Sequence, residues 1–147
     1  MINFHLLQQD LIRDEGWRNM PYLCTAGHLT IGVGHKLLPH EIEAAKDGWS
    51  DEQVQKTLLQ DIHIAMRGVE MIFGRSKFLT FSEARQRALV SMCFQLGANG
   101  LAGFKRMIAA IRRGDWEQAY IEALDSKWAK KDTPARAHRV AKIILEG

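Results

Sequence analysis

The feature that most constrains this chain is an amphipathic stripe of helical period through its middle. Ser50 followed by Gln53 fits a capping box. Val54, Leu58, Ile62, Ala65, Val69 and Ile72 then recur three or four residues apart until Gly74 interrupts them. The pattern predicts one uninterrupted helix over residues 51–73, roughly 35 Å long at ~1.5 Å per residue. In a chain of 147 residues such a helix is long enough to bridge two lobes.

Ahead of it, two periods succeed one another. Phe4, Leu7 and Leu11 keep helical spacing behind a candidate N-cap, Asn3. One further step of four lands on Glu15, and Gly16 can stop the helix there. Between Pro21 and Gly34 the period becomes two. Leu29, Ile31 and Val33 alternate with Thr30, Gly32 and Gly34, which predicts a strand through Gly34 preceded by a turn at Ala26-Gly27. Thr30 then faces away from the aliphatic side, beside two glycines that leave room for a ligand or another backbone.

Beyond the stripe, Thr80 and Glu83 suggest a capped start for ALVSMCF, apolar on every side and therefore a central buried helix. Gly97, Gly100 and Gly103 punctuate the turn after that helix. Helices are expected over 104–113 and 115–124, and Thr133-Pro134 marks the last helix start. The expected fold is α+β and mainly α, in one domain over 1–147. A small strand-bearing N-terminal lobe (roughly 12–50) and a helical C-terminal lobe (74–147 plus 1–11) are joined by the helix 51–73. A cleft between lobes is the usual place for a ligand.

Composition narrows the function. With 46% hydrophobic and 25% charged residues the chain can bury a core. A net charge of +3 suits an anionic polymer, either nucleic acid or a bacterial envelope. Lys and Arg are dispersed with no run of five like charges, so no nucleic-acid arm is expected. Cys24 and Cys93 lie in unlike settings, which predicts free thiols and synthesis in a reducing cytoplasm. The first fifteen residues lack the basic and apolar regions of a signal peptide, and no apolar run approaches the ~20 residues of a membrane span. No His/Cys/Asp cluster has ligand spacing and no Gly-rich phosphate loop is present, so neither metal nor organic cofactor is expected.

A carboxyl group at the end of an apolar helix face loses solvent, which favours its acid form and suits it to protonate a departing sugar oxygen. Taken alone, Glu15 could equally be a surface residue at an unfavourable helix end. Its neighbours decide. DEGWRNMPYLCTAGHLTIGVGH resembles the catalytic segment of the phage T4-type lysozymes (glycoside hydrolase family 24), whose pattern is E-x8-[D/C]-x5-T. Glu15, Cys24 and Thr30 have that spacing, and TIGVGH is close to the family's TIGxGH. The resemblance continues through SMCFQLGANGLAGF and DSKWAKKDTPARAHRV, in order, over essentially the whole chain.

It implies an endolysin that cleaves the β-1,4 bond between N-acetylmuramic acid and N-acetylglucosamine of peptidoglycan. Glu15 would be the general acid, and Thr30 would help hold the attacking water. Cys24 replaces the commoner aspartate and could serve as thiolate, water-orienting group or nucleophile. Direct attack by water with inversion is expected in preference to a thioglycoside intermediate. The resemblance also implies a monomer without a separate wall-binding domain or stable membrane insertion. It would be held in the host cytoplasm until a separate holin releases it.

His35 has two readings: a peptidase dyad with Cys24, or an ion pair with Asp61, which sits at helical spacing between Leu58 and Ala65. The resemblance implies the ion pair. Phe94 and Gln95 are either substrate-binding residues or a core aromatic and a polar helix end; the resemblance implies the former. Arg136 matches a family arginine near the catalytic acid. Trp17, Trp49, Trp116 and Trp128 could stack on sugars, but the helical settings of Trp116 and Trp128 favour packing. Two alternatives stand beside the lysozyme. One is a non-catalytic wall-binding module of the same fold; the other is a Cys24/His35 peptidase for stem peptides, with no visible third group to orient the histidine.

Overall fold

A computed structural model describes residues 1–147. Helix α1 (Phe4–Glu15) buries Leu7 and Leu11 completely. It stops directly after Glu15 because Gly16, at φ +80°, returns its N–H to the Ile12 carbonyl at 2.9 Å. Strands β1 (Arg18–Leu23), β2 (Leu29–Gly32) and β3 (His35–Lys36) form one antiparallel sheet in that order. Tyr22 stands opposite Thr30, and Ile31 opposite His35. The alternation that predicts a strand through Gly34 is cut short. Gly32 (φ +68°) and Gly34 (φ +62°) both adopt left-handed conformations, so the chain reverses at Val33 and His35 returns on β3.

A 3-10 turn (Pro39–Glu41) and the short α2 (Ile42–Ala45) lead to α3 (Asp51–Phe73), whose 23 residues match the stripe. Its capping box is closed in both directions. The Gln53 N–H donates to Ser50 Oγ at 3.2 Å, and the Ser50 N–H donates to Gln53 Oε1 at 2.8 Å. Val54, Leu58, Ile62, Ala65 and Val69 are buried.

The chain divides into two units, Phe4–His63 and Met1–Asn3 with Ile64–Gly147, and the boundary falls inside α3. Helix α1 belongs with the sheet, whereas the sequence pattern groups residues 1–11 with the helical lobe. Two contacts account for this: Gln55 on α3 donates to Gln8 Oε1 at 2.5 Å, and Phe4 packs on His63 with ring centres 5.9 Å apart.

The helical unit contains α4 (Arg75–Thr80), which the pattern does not announce. Thr80 closes it by donating to the Lys77 carbonyl at 2.6 Å. The cap of α5 (Glu83–Ala102) is therefore Ser82, whose Oγ accepts the Arg85 N–H at 3.2 Å, and not Thr80. Ala88, Leu89, Val90, Met92 and Cys93 are all buried, and Gly97 breaks the helix at φ +76°, ψ 165°. The chain continues through α6 (Lys105–Arg112), α7 (Trp116–Leu124) capped by Asp115, a π-helical turn (Trp128–Asp132) and α8 (Pro134–Glu146). Arg85 caps the end of α8 through the Ile144 and Leu145 carbonyls at 2.9 and 3.0 Å. Its guanidinium lies over Trp116 at 3.9 Å, making that tryptophan a packing residue.

One polar cluster ties the sheet to α3. His35 Nδ1 meets Asp61 Oδ2 at 2.7 Å, and its Nε2 meets Glu41 Oε1 at 3.1 Å. Trp49 packs on the ring, with centres 5.6 Å apart. The hydrogen bond to Asp61, helped by Glu41, raises the His35 pKa above its ordinary 6.5 although burial opposes it. Burial also opposes ionisation of Glu41. The Leu38 N–H and His35 outweigh this and hold its carboxyl below the ordinary 4.5.

The raised histidine contributes stability that is full below pH 6.5 and is lost as pH rises through its folded value. The lowered glutamate contributes above pH 4.5 and loses it as pH falls. The cluster is therefore most stabilising between those limits. His35→Gln should lower Tm by about 5 °C at pH 5.5 and by clearly less at pH 9. Equal losses at both pH values in thermal unfolding would show that ring packing, not charge, holds this corner.

Candidate functional site

Glu15 is the last residue of α1, half-buried, and the turn after β2 closes directly upon it. A Cβ at Gly34 would lie 2.8 Å from the Glu15 carboxyl carbon and 2.8 Å from its Oε1, closer than such atoms approach. The left-handed φ calls for glycine here, and an added Cβ would push the end of the Glu15 side chain aside. A Cβ at Gly32 would sit 3.5 Å from both Trp49 and Val54. The two glycines were expected to leave room for a ligand or another backbone. That expectation is corrected: Gly34 makes room for the catalytic-candidate carboxyl itself, and Gly32 for a tryptophan and the start of α3.

Cys24 comes after β1 at the head of a five-residue loop. Its N–H donates to the His28 carbonyl at 2.9 Å, its carbonyl accepts the Gly27 N–H at 2.8 Å, and its Sγ accepts the His28 N–H at 3.4 Å. That amide lowers the thiol pKa most; burial opposes it, and the Ala26 amide, Thr30 and the charge of Lys36 lower it further. Thr30 is only 3% exposed, and its hydroxyl donates to the His28 carbonyl at 2.9 Å.

Tyr22 joins them without having been anticipated. Across the sheet it stands opposite Thr30, so the two side chains share a face. Arg18 lies over its ring at 4.6 Å. Burial raises the phenol pKa, the charges of Glu15 and Cys24 add to the rise, and Arg18 opposes it. The available signal was a Tyr-x-Cys step, which places residues 22 and 24 on one side of an extended chain; without a strand assigned to 18–23 it carried no weight.

Both ring nitrogens of His35 are engaged by carboxylates, so neither is offered to Cys24. No group of three or more His, Cys, Asp or Glu is arranged to hold a metal ion, and no helix is long and apolar enough to cross a membrane.

In the helical unit, Phe94 and Gln95 end the first stretch of α5 and are half-buried. The Gln95 amide is held at both ends. It donates to Thr133 Oγ1 at 3.0 Å and accepts from Trp128 Nε1 at 3.0 Å. Trp128 is itself buried, with its ring edge-on to Phe104 at 5.8 Å, and so packs instead of standing open. Beside it lies a cavity of about 620 Å³ lined by Leu96, Phe104, Arg106, Glu122 and Trp128 among others. Arg136 is buried in the first turn of α8.

The phage lysozyme family model matches residues 13–142 of this chain. The pre-baseplate central spike protein Gp5 of Enterobacteria phage T4 is 33% identical, over 93% of this chain but only 27% of the spike protein. The chain therefore spans about a quarter of that relative's length. The probable T4-type lysozyme 2 of Dictyostelium discoideum is 28% identical over 95% of this chain and 94% of its own length. The probable T4-type lysozyme 1 of the same organism is 24% identical over the same shares. A match over residues 13–142, on a mainly helical α+β chain with one small sheet, establishes that this protein belongs to the phage lysozyme family of glycoside hydrolases.

Proposed function

We propose that this chain is an endolysin that hydrolyses the β-1,4 bond between N-acetylmuramic acid and N-acetylglucosamine, with Glu15 as general acid. The observation that carries this reading is the Glu15 carboxyl seated against Gly34, in the same small unit as Cys24 and Thr30. The acid protonates the departing glycosidic oxygen while positive charge develops at the anomeric carbon. Cys24 takes the place of the second carboxylate. Its lowered pKa increases the thiolate fraction, supplying negative charge on the side from which water attacks, and the product anomer is inverted. Phe94 and Gln95 are the proposed saccharide contacts; the fixed Gln95 amide suits recognition of an N-acetyl group. His35, Asp61 and Arg136 are proposed as structural residues.

Peptidoglycan turbidity, with mass analysis of the products, tests the assignment. Glu15→Gln should lose at least about a hundredfold in rate, together with the reducing sugar ends. Free amino ends that vanish with Cys24→Ser would instead indicate a peptidase, and an inert wild type a wall-binding module. NMR of the first-formed anomer should show inversion; retention would establish the thioglycoside route. Gly34→Ala should cut kcat tenfold or more, since the new methyl displaces the Glu15 carboxyl, and should destabilise by about 1–2 kcal/mol through the left-handed backbone. An unchanged kcat would separate the close approach from catalysis.

The same proposal places the enzyme in the host cytoplasm until a separate pore releases it to the wall. Expression in a bacterium should leave culture density steady until the inner membrane is permeabilised, and lysis should then begin at once. Spontaneous lysis without permeabilisation would contradict that route.

A further inference from the structure

We propose that Lys36 and Arg18, two cations on the same face of the small sheet as Thr30, bind a carboxylate carried by the muramyl residue of the substrate and make the enzyme selective for acidic peptidoglycan. The inference rests on the lysozyme function proposed for the chain and names the chemical feature of the substrate that the small unit reads.

The sheet register brings these side chains together. Thr30 on β2 stands opposite Tyr22 on β1 and opposite Lys36 on β3. Directly opposed residues of an antiparallel sheet point to one side, so Tyr22, Thr30 and Lys36 form a row across all three strands. Ile31 and His35, one residue along, point to the other side, where Asp61 of α3 takes the histidine. Arg18 belongs to the face of the row, because its guanidinium carbon lies over the Tyr22 ring, 4.6 Å from its centre. Thr30 is only 3% exposed, whereas Arg18 and Lys36 both stand in solvent.

The charge of these two residues runs against that of their unit. Residues 4–63 carry nine Asp and Glu against five Lys and Arg, a net of −4. Two of the five cations are paired with neighbouring acids, Arg13 with Asp10 and Asp14, and Lys46 with Glu43. Arg18 and Lys36 have no carboxylate within salt-bridge distance. A guanidinium lying on a phenol ring covers its apolar face and keeps its N–H edge free to grip a carboxylate at two points; the Lys36 ammonium adds a further point of charge. The lactyl substituent of N-acetylmuramic acid ends in a carboxyl group, and the peptide built on it carries others. A substrate of that sign is repelled by a unit of net −4 except where local cations offset the field. The offset falls on the face of Thr30, a member of the same motif as Glu15 and Cys24. Lys36 also lowers the Cys24 pKa, but an effect exerted only through that thiol would be equal for acidic and neutral substrates.

The test measures kcat and KM on soluble glycan strands in three forms: with acidic stem peptides, with the same carboxylates converted to primary amides, and with the stems removed so that the lactyl carboxylate is free. Wild type should favour acidic over amidated strands by about tenfold in kcat/KM, chiefly through KM, and the preference should fade as salt is raised. Lys36→Met should reduce it to about twofold, Arg18→Gln should reduce it in part, and Lys36→Arg should keep it. If Lys36→Met lowers Tm, the same measurement on Lys36→Gln decides in its place. Stem-free strands favoured over amidated ones identify the lactyl carboxylate as the group bound; preference confined to strands with acidic stems identifies the peptide. Absence of any preference in wild type, or a preference that Lys36→Met leaves intact, overturns the proposal while hydrolysis itself persists. Absence of new reducing ends from all three strands would instead overturn the lysozyme reading.

Discussion

Two pieces of chain come together at Glu15, and they meet so closely that a side chain at residue 34 would have to push the Glu15 carboxyl aside. The end of α1 delivers a carboxyl group, and the turn between β2 and β3 delivers a backbone whose added Cβ would be 2.8 Å from it. Gly16 stops α1 at the right residue, Gly32 begins the reversal, and the return of the chain on β3 brings His35 to Asp61 on α3. The Glu15 carboxyl thus lies against the turn between β2 and β3, and the His35 cluster begins at the next residue of the chain.

A thiol at residue 24, where the resembled motif more often has aspartate, changes which forces matter. An exposed aspartate is ionised at neutral pH without help, whereas a free thiol with a pKa near ~8.5 is mostly neutral. Here the backbone supplies the help. The His28 and Ala26 amides point at the sulfur, and Lys36 adds a positive charge. The loop that carries Cys24 is therefore part of its chemistry, and Gly27, with φ +84°, is what lets the loop close. In the helical unit a comparable economy appears around Gln95, whose amide is fixed by Trp128 and Thr133. A tryptophan that could have been a sugar platform is instead the donor that orients a neighbouring polar group.

Local features were legible wherever their cause was local. The Ser50/Gln53 box, the stripe from Val54 to Val69 and the Thr133-Pro134 start all depend on residues within one or two helical turns. Features that needed a partner far along the chain were not. Thr80 looked like a cap because its hydroxyl suits that role, but that hydroxyl closes α4 and Ser82 does the capping. Glu41 completes the His35 cluster from a 3-10 turn that no periodicity announces. Tyr22 enters the site only through the β1–β2 register, which depends on where the intervening loop reverses.

The sequence by itself determined the long helix, the mainly helical α+β class and the membership that the Glu15, Cys24 and Thr30 spacing announces. These rest on periodicity and motif, which are properties of nearest neighbours along the chain. Only the tertiary structure decided that the strand ends at Gly32, that Gly34 is a seat for the acid, and that the Thr30 hydroxyl turns inward to the Cys24 loop. For the two glycines the physical reason is the same. A glycine in a period-two pattern is compatible with a strand, a turn or a close approach, and only the atom that finally lies against it selects among them.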